Sequence, residues 1–307
     1  MSNDDFTHNS INTVAVLGGS GFIGSHLVLQ LLQLGYTLNI LSNKTLPDLI
    51  SPRGRINIIK GNIEDAASLE KCLDGCDAVY HLVGIIAETK NKTFHKTVVM
   101  GTRNVIEAAQ KCGVSKVFYL SALGTNENSN SLYFQSKWAA EKIIRNSGID
   151  FTIFRPSIVY GPEDEFVNKI VKLIKYSPLI PVIGDGLYKL QPVYVDELCA
   201  VMALSSQRDF TTGKTYEIGG PQQLTYLEIL DIIKNTLGIK KYNIHLPIGL
   251  VRVVARVLEK IMKPAPITID QLNMMAAGSI CDQTIVENEF GAKFSSMESQ
   301  LPGYLRR

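Results

Sequence analysis

The chain has 307 residues, 45% of them hydrophobic and 20% charged, enough apolar material for one large domain or one and a half. A formal charge of +2 supplies no global field for nucleic acid or an anionic membrane, so either partner would need a local patch. Five cysteines without a CxxC pair and five histidines scattered singly argue against a disulfide framework and a metal site, and fit a reducing, cytoplasmic setting.

The start, "MSNDDFTHNSIN", is polar and reads as a loose tail rather than a secretory leader, and no run of about 18 apolar residues follows to span a membrane. From residue 12 the chain alternates short apolar runs with helical patterns. "TVAVLGG", "TLNILSN", "INIIKGN", "DAVYHLVG", "KVFYLSA" and "DFTIFRPS" read as strands buried on both faces. Between them, "GSHLVLQLLQLG", "DAASLEKCLDG", "TFHKTVVMGTRNVIEAAQKCG" and "YFQSKWAAEKIIRNSG" have helical periodicity, several closed by glycine. Such alternation predicts an α/β fold: a doubly wound parallel sheet of Rossmann type over 12–160, with right-handed crossovers.

After "RPSIVYGPEDEF" the rhythm breaks at Pro162, Pro178, Pro181 and Pro192. Residues 161–307 read as a smaller, mostly helical region, with 191–220 ("PVYVDELCAVMALS", then "KTYEIGG") returning to the main sheet. The carboxylates of "GPEDEF" lack metal-ligating neighbours and read as a loop and helix start. Trp138 reads as packing.

The first strand ends at Leu17 and is followed by Gly18, Gly21 and Gly24, a GxxGxxG variant of the dinucleotide fingerprint. The first glycine permits a tight turn, the second lets backbone approach a pyrophosphate, and the third lets the helix pack on the strand. The helix N-terminus adds free N–H groups and partial positive charge for the phosphates. A ribose-reading carboxylate is expected roughly 20 residues on, at the end of the second strand. That stretch reads "ILSNKT", with Ser42, Asn43 and Lys44 in place of an acid, which favours NADP(H) over NAD(H).

Tyr133 and Lys137 stand four apart on one helical face in "YFQSKWAAEK". An ammonium beside a phenol is expected to lower its pKa toward a useful acid or base. With Ser121 at the end of the preceding strand, the pair is the leading catalytic candidate.

Together, GGSGFIG, "GNIED", "HLVG", "GTRNVIEAA", YxxxK, "RPSIVYGP" and "PVYVDEL" resemble the extended or atypical short-chain dehydrogenase/reductases, the branch of the NAD-dependent epimerases and dehydratases. Within it, "HLVGII", "QPVYVDEL", "KTYEIGGPQQLTYLEIL" and "ITIDQL" are similar to the NAD(P)H-binding accessory subunit of respiratory complex I and its bacterial relatives. The strand-end position puts Asn43 and Lys44 near the ribose, and that resemblance implies that Gly18, Ser20, Gly21, Phe22, Ile23 and Gly24 surround the pyrophosphate. It implies Asn62 and Ile63 beside the adenine, and Leu82, Val83 and Gly84 along the adenosine. Tyr133 and Lys137 would meet the nicotinamide ribose and reacting centre, and Pro156, Ser157 and Ile158 the nicotinamide face.

Two positions depart from the active pattern. The serine or threonine usually beside the tyrosine falls at or just after Ser121, where Ala122 and Leu123 follow, and Val98 replaces a common asparagine. The resemblance therefore implies a cofactor-binding protein with weak or no turnover; an active oxidoreductase or sugar-nucleotide epimerase/dehydratase is the alternative. Finally, "PIGLVRVVARVLEKIMKP" sets Arg252, Arg256, Lys260 and Lys263 on one stripe opposite leucines, valines and methionine. Such a helix packs its apolar face on its own domain, lies on an anionic membrane or caps a partner. The resemblance keeps open a respiratory-complex partner or a location peripheral to the inner membrane. No nucleic-acid or metal partner is expected.

Overall fold

The structure is a computed structural model that describes residues 11–43, 55–262 and 264–305; of the residues singled out above, Lys44 and Lys263 lie outside the described set. Seven parallel strands form the central sheet: β1 (Thr13–Leu17), β2 (Thr37–Ser42), β3 (Ile56–Lys60), β4 (Ala78–His81), β5 (Lys116–Leu120), β6 (Asp150–Pro156) and β11 (Thr215–Ile218). Their order is β11-β6-β5-β4-β1-β2-β3, with β1 pairing parallel to both β2 and β4. The chain winds outward from β1 in one direction and then, from β4, in the other. The crevice where a doubly wound sheet takes its ligand therefore lies above the C-terminal ends of β1 and β4.

The continuous apolar runs have a direct cause. Along β1, Val14 and Val16 enter one core while Ala15 and Leu17 enter the other. On the first face lie α1 (Phe22–Gln33), α6 (Val195–Ser205) and α10 (Thr284–Phe290), through Leu27, Leu31, Leu198, Met202 and Phe290. On the second lie α2 (Ala66–Leu73), α3 (Gly101–Lys111) and α4 (Leu132–Arg145), through Leu69, Leu73, Val105, Ala109, Ala140 and Ile144. The exception is β3, expected to be buried on both faces. It is the sheet edge, and Ile58 is 52% exposed. The long helix expected over 93–113 opens with a π-helical segment, His95–Met100, before α3 begins.

The remaining elements build the smaller region: β7 (Val159–Tyr160), α5 (Phe166–Tyr176), β8 (Ile180–Ile183), β9 (Lys189–Leu190), β10 (Val193–Tyr194), β12 (Leu224–Thr225), α7 (Tyr226–Leu237), β13 (Asn243–Leu246), α8 (Ile248–Ile261), α9 (Ile269–Ala277) and α11 (Met297–Leu305). Its own core joins Ile170, Ile174, Ile180, Val182, Ile233 and Leu301. The acidic stretch before α5 serves as a helix start. Asp164 accepts from the Gly161 and Val167 amides, and Glu165 pairs with Lys169 at 2.7 Å.

Candidate functional site

The loop after β1 is shaped by contacts that only glycine allows. Gly18 sits at φ +94°, and the Gly21 amide donates to its carbonyl at 3.0 Å, closing a tight turn. A Cβ on Gly24 would stand 2.1 Å from that same carbonyl oxygen and 2.8 Å from Gly19 Cα. Only a bare backbone lets α1 start this close to the strand. Gly21 caps α1 without a side chain, and the first intrahelical bond runs from the Ser25 amide to Gly21 O. The amides of Phe22, Ile23 and Gly24 thus have no intrahelical acceptor and open the positive end of the helix above β1. This is the donor set a pyrophosphate requires.

Around the loop the structure gathers most of the expected neighbours. The Leu82 amide donates to Leu17 O at 3.0 Å, and Val83 lies 3.4 Å from where a Gly18 Cβ would be. At the end of β2, Ser42 Oγ donates to Ser20 Oγ at 2.9 Å, so the second strand steadies the glycine turn. Asn43 follows, exposed, and neither residue carries a charge. On the adenine side, Asn62 is exposed and accepts from the Glu64 amide. Ile63 instead turns its side chain into the core beneath Gly101 and offers the outside only backbone. Pro156 and Ile158 flank the end of β6. Between them Ser157 spends its hydroxyl on Ser279, donating to its carbonyl at 2.8 Å.

The Tyr–Lys pair sits on α4, and burial governs both members. Lys137 donates through Nζ to Leu120 O at 2.8 Å, lies 4.9 Å from the centre of the Tyr119 ring, and stands 3.2 Å from where a Gly84 Cβ would be. The lysine therefore underlies the loop after β4. Desolvation pulls it down to about 8, with Glu141 acting in the opposite sense. Tyr133, only 8% exposed, is pushed up to about 12 by burial first and the Asp270 carboxylate second. The lowered phenol pKa expected from the spacing is thus reversed, because burial and the Asp270 carboxylate both favour the neutral phenol.

Apolar side chains pack around the tyrosine. Its ring meets Phe94 at 5.9 Å and Phe134 at 5.4 Å, and Ile85, Ala122 and Met274 complete an apolar cluster around it. Met274 belongs to α9, and α9 is pinned over the start of α4. Asp270 accepts from Ser131 Oγ at 3.0 Å and the Tyr133 amide at 3.3 Å, while Asn273 Nδ2 donates to Asn130 O at 2.9 Å.

Ser121 does not present a hydroxyl to the tyrosine. It donates at 2.6 Å to Glu141, a fully buried carboxylate that also accepts from Arg155 Nε at 2.9 Å and Nη2 at 2.8 Å. The next residue, Ala122, packs against the apolar cluster that includes the tyrosine. Sequence reasoning missed Glu141, Arg155 and the α9 cover. Glu141 had a signal, four residues after Lys137 on the same helical face; the cover had none. Behind the pair, His81 is wholly buried, bonds Thr102 through Nε2 at 2.9 Å, and is pulled down to about 3 by burial. It stays neutral and structural.

A seven-stranded Rossmann sheet with a glycine turn at its switch point and a Tyr–Lys helix beside it defines a dinucleotide-binding protein of the short-chain dehydrogenase/reductase type. Residues 14–219 match the NAD dependent epimerase/dehydratase family, and the chain belongs to that family. It is 27% identical over 280 residues to the mitochondrial NADH dehydrogenase (ubiquinone) 1 alpha subcomplex subunit 9 of Arabidopsis thaliana, covering 86% of this chain and 70% of the relative. The subunit of the same name from Dictyostelium discoideum is 30% identical over 235 residues, covering 75% and 65%. The matches thus span about two thirds of the relatives' length. Among solved structures, the dTDP-glucose 4,6-dehydratase DesIV of Streptomyces venezuelae, determined with NAD bound, superposes with a TM-score of 0.75 at 24% identity, covering 96% of each chain.

Proposed function

We propose that this chain binds NAD(P) with weak or no turnover and serves as an accessory component of a respiratory NADH dehydrogenase complex. The observation that carries the reading is a contrast within one site. The glycine turn and α1 start keep the form a pyrophosphate needs, while the tyrosine that would move a proton is packed in an apolar cluster with Phe94, Ala122 and Met274 and its pKa is raised. Bound there, a nicotinamide ring supplies hydride exchange. The protein's share of catalysis would be to hold the substrate oxygen and shuttle its proton. Ser121 is committed to Glu141, and a phenol held at about 12 is a poor base near neutrality. The similarity to the two mitochondrial subunits supports the respiratory partner.

NADP(H) is favoured over NAD(H), because β2 ends at Ser42 and is followed by Asn43, and neither is a carboxylate that would hold a 2′-hydroxyl and repel a 2′-phosphate. Parallel calorimetric titrations of the purified chain with NADPH and NADH test this. Tighter NADPH binding is expected; equal or tighter NADH binding refutes the preference. A second reading, an active oxidoreductase or epimerase/dehydratase, draws on the placement of Lys137 directly under Gly84. In that reading Tyr133 is the acid/base and Lys137 holds the ribose.

A further inference from the structure

The helix α8 carries an apolar stripe that packs on none of the described residues. At about 100° per residue, Leu250, Val253, Val254, Val257 and Ile261 share an arc of about 100°, and every one is exposed: Val253 by 56%, Ile261 by 74%. The expectation of an apolar face packed inward is met only by the opposite side, where Val251 and Ala255 pack with Leu272. The helix is firmly held in that orientation. Arg252 Nη2 donates to Asn273 Oδ1 at 3.2 Å, and Glu259 accepts from the Ile269 amide at 2.9 Å. Ahead of α8, Tyr242 and, on β13, Ile244 are exposed as well.

Charge decides what this face fits. Arg256 and Lys260 are exposed and border the stripe. The single acid of α8, Glu259, is turned to α9, where its carboxylate meets the Ile269 amide. A convex helix face with apolar centre and cationic flank is the form that lies in a bilayer interface and attracts anionic headgroups. We propose that α8 docks this protein on an anionic membrane surface, with the stripe set among the acyl chains and Arg256 and Lys260 at the phosphates. The inference rests on α8 alone and not on the cofactor reading.

Flotation of the full chain with phosphatidylcholine vesicles, and with vesicles of which about a third of the lipid is phosphatidylglycerol, tests it. The anionic vesicles are expected to carry the protein up, less so at high salt, and the neutral ones far less. Val253→Asp with Val257→Asp should abolish flotation; both positions are exposed, so the melting temperature should stay unchanged. Arg256→Gln and Lys260→Gln should each weaken it roughly fivefold, from about 1 kcal/mol per cation near the surface. Gly24→Ala should float like wild type, so failure of cofactor binding and failure of docking are read separately. Wild-type protein that ignores anionic vesicles, or a dimer that Val253→Asp dissociates while flotation is absent, would overturn the proposal in favour of a protein partner.

Discussion

Gly24→Ala tests whether the glycine turn is built for a ligand-ready helix start. The new Cβ would sit 2.1 Å from Gly18 O, well short of the 3.4 Å at which ordinary contact begins, so the two must be driven apart. Neither neighbour can yield cheaply. Gly18 O is held by the Gly21 amide at 3.0 Å, and α1 is anchored by the fully buried Leu27, Val28 and Leu31. Either the turn breaks or α1 tilts out of its core, and overpacking of this kind costs about 1–3 kcal/mol. Because the displaced atoms are the phosphate donors themselves, most of that cost falls on binding: about 3 kcal/mol is roughly a hundredfold in Kd. The assay is NADPH titration followed by nicotinamide fluorescence, with Gly249→Ala as control, since a Cβ there meets nothing within 4 Å. The reasoning fails if Gly24→Ala folds normally and binds within about threefold of wild type.

Glu141→Ala should cost about 3 kcal/mol in urea unfolding, because it leaves the mostly buried Arg155 guanidinium with only the longer pair to Glu217. Ser121→Ala should cost only about 1 kcal/mol and leave NADPH affinity unchanged; a large loss of affinity would place Ser121 at the cofactor. Lys137 titrates at about 8 in the folded chain against an ordinary 10.5, so between those values the unfolded chain binds the proton the folded chain has released. Stability should therefore rise with pH across that window, and Lys137→Met should flatten the rise in urea melts at successive pH values. Tyr133, held at about 12, acts in the opposite sense only above pH 10 or so. Asp270→Ala should loosen α9 and raise the rate at which tetranitromethane nitrates Tyr133; an unchanged rate would show that α9 does not cover it.

The sheet was legible because both of its faces are buried, leaving unbroken apolar runs bounded by glycine. β3 misread for the same reason: Ile58 looks like core in sequence, yet an edge strand leaves one side to water. The glycine turn was legible because its constraint is local, with Gly24 six residues from the carbonyl it must clear. The state of Tyr133 was not legible. Its spacing from Lys137 is visible in ten residues, but its pKa is set by burial beneath Met274 and by Asp270, 137 residues away. Ser121 likewise reads as a free hydroxyl until Glu141 folds in behind it. On α8 the periodicity showed an amphipathic helix, while which face meets the protein depended on α9, a separate segment.

The most direct test of the account is to purify the chain without added cofactor, identify any dinucleotide released on denaturation, and follow by absorbance whether the bound form exchanges hydride with a panel of carbonyl compounds. The account predicts a stoichiometric dinucleotide, predominantly NADP(H), whose absorbance stays constant with every compound. Rapid exchange that Tyr133→Phe abolishes while cofactor affinity is retained would contradict it and make Tyr133 a working acid/base.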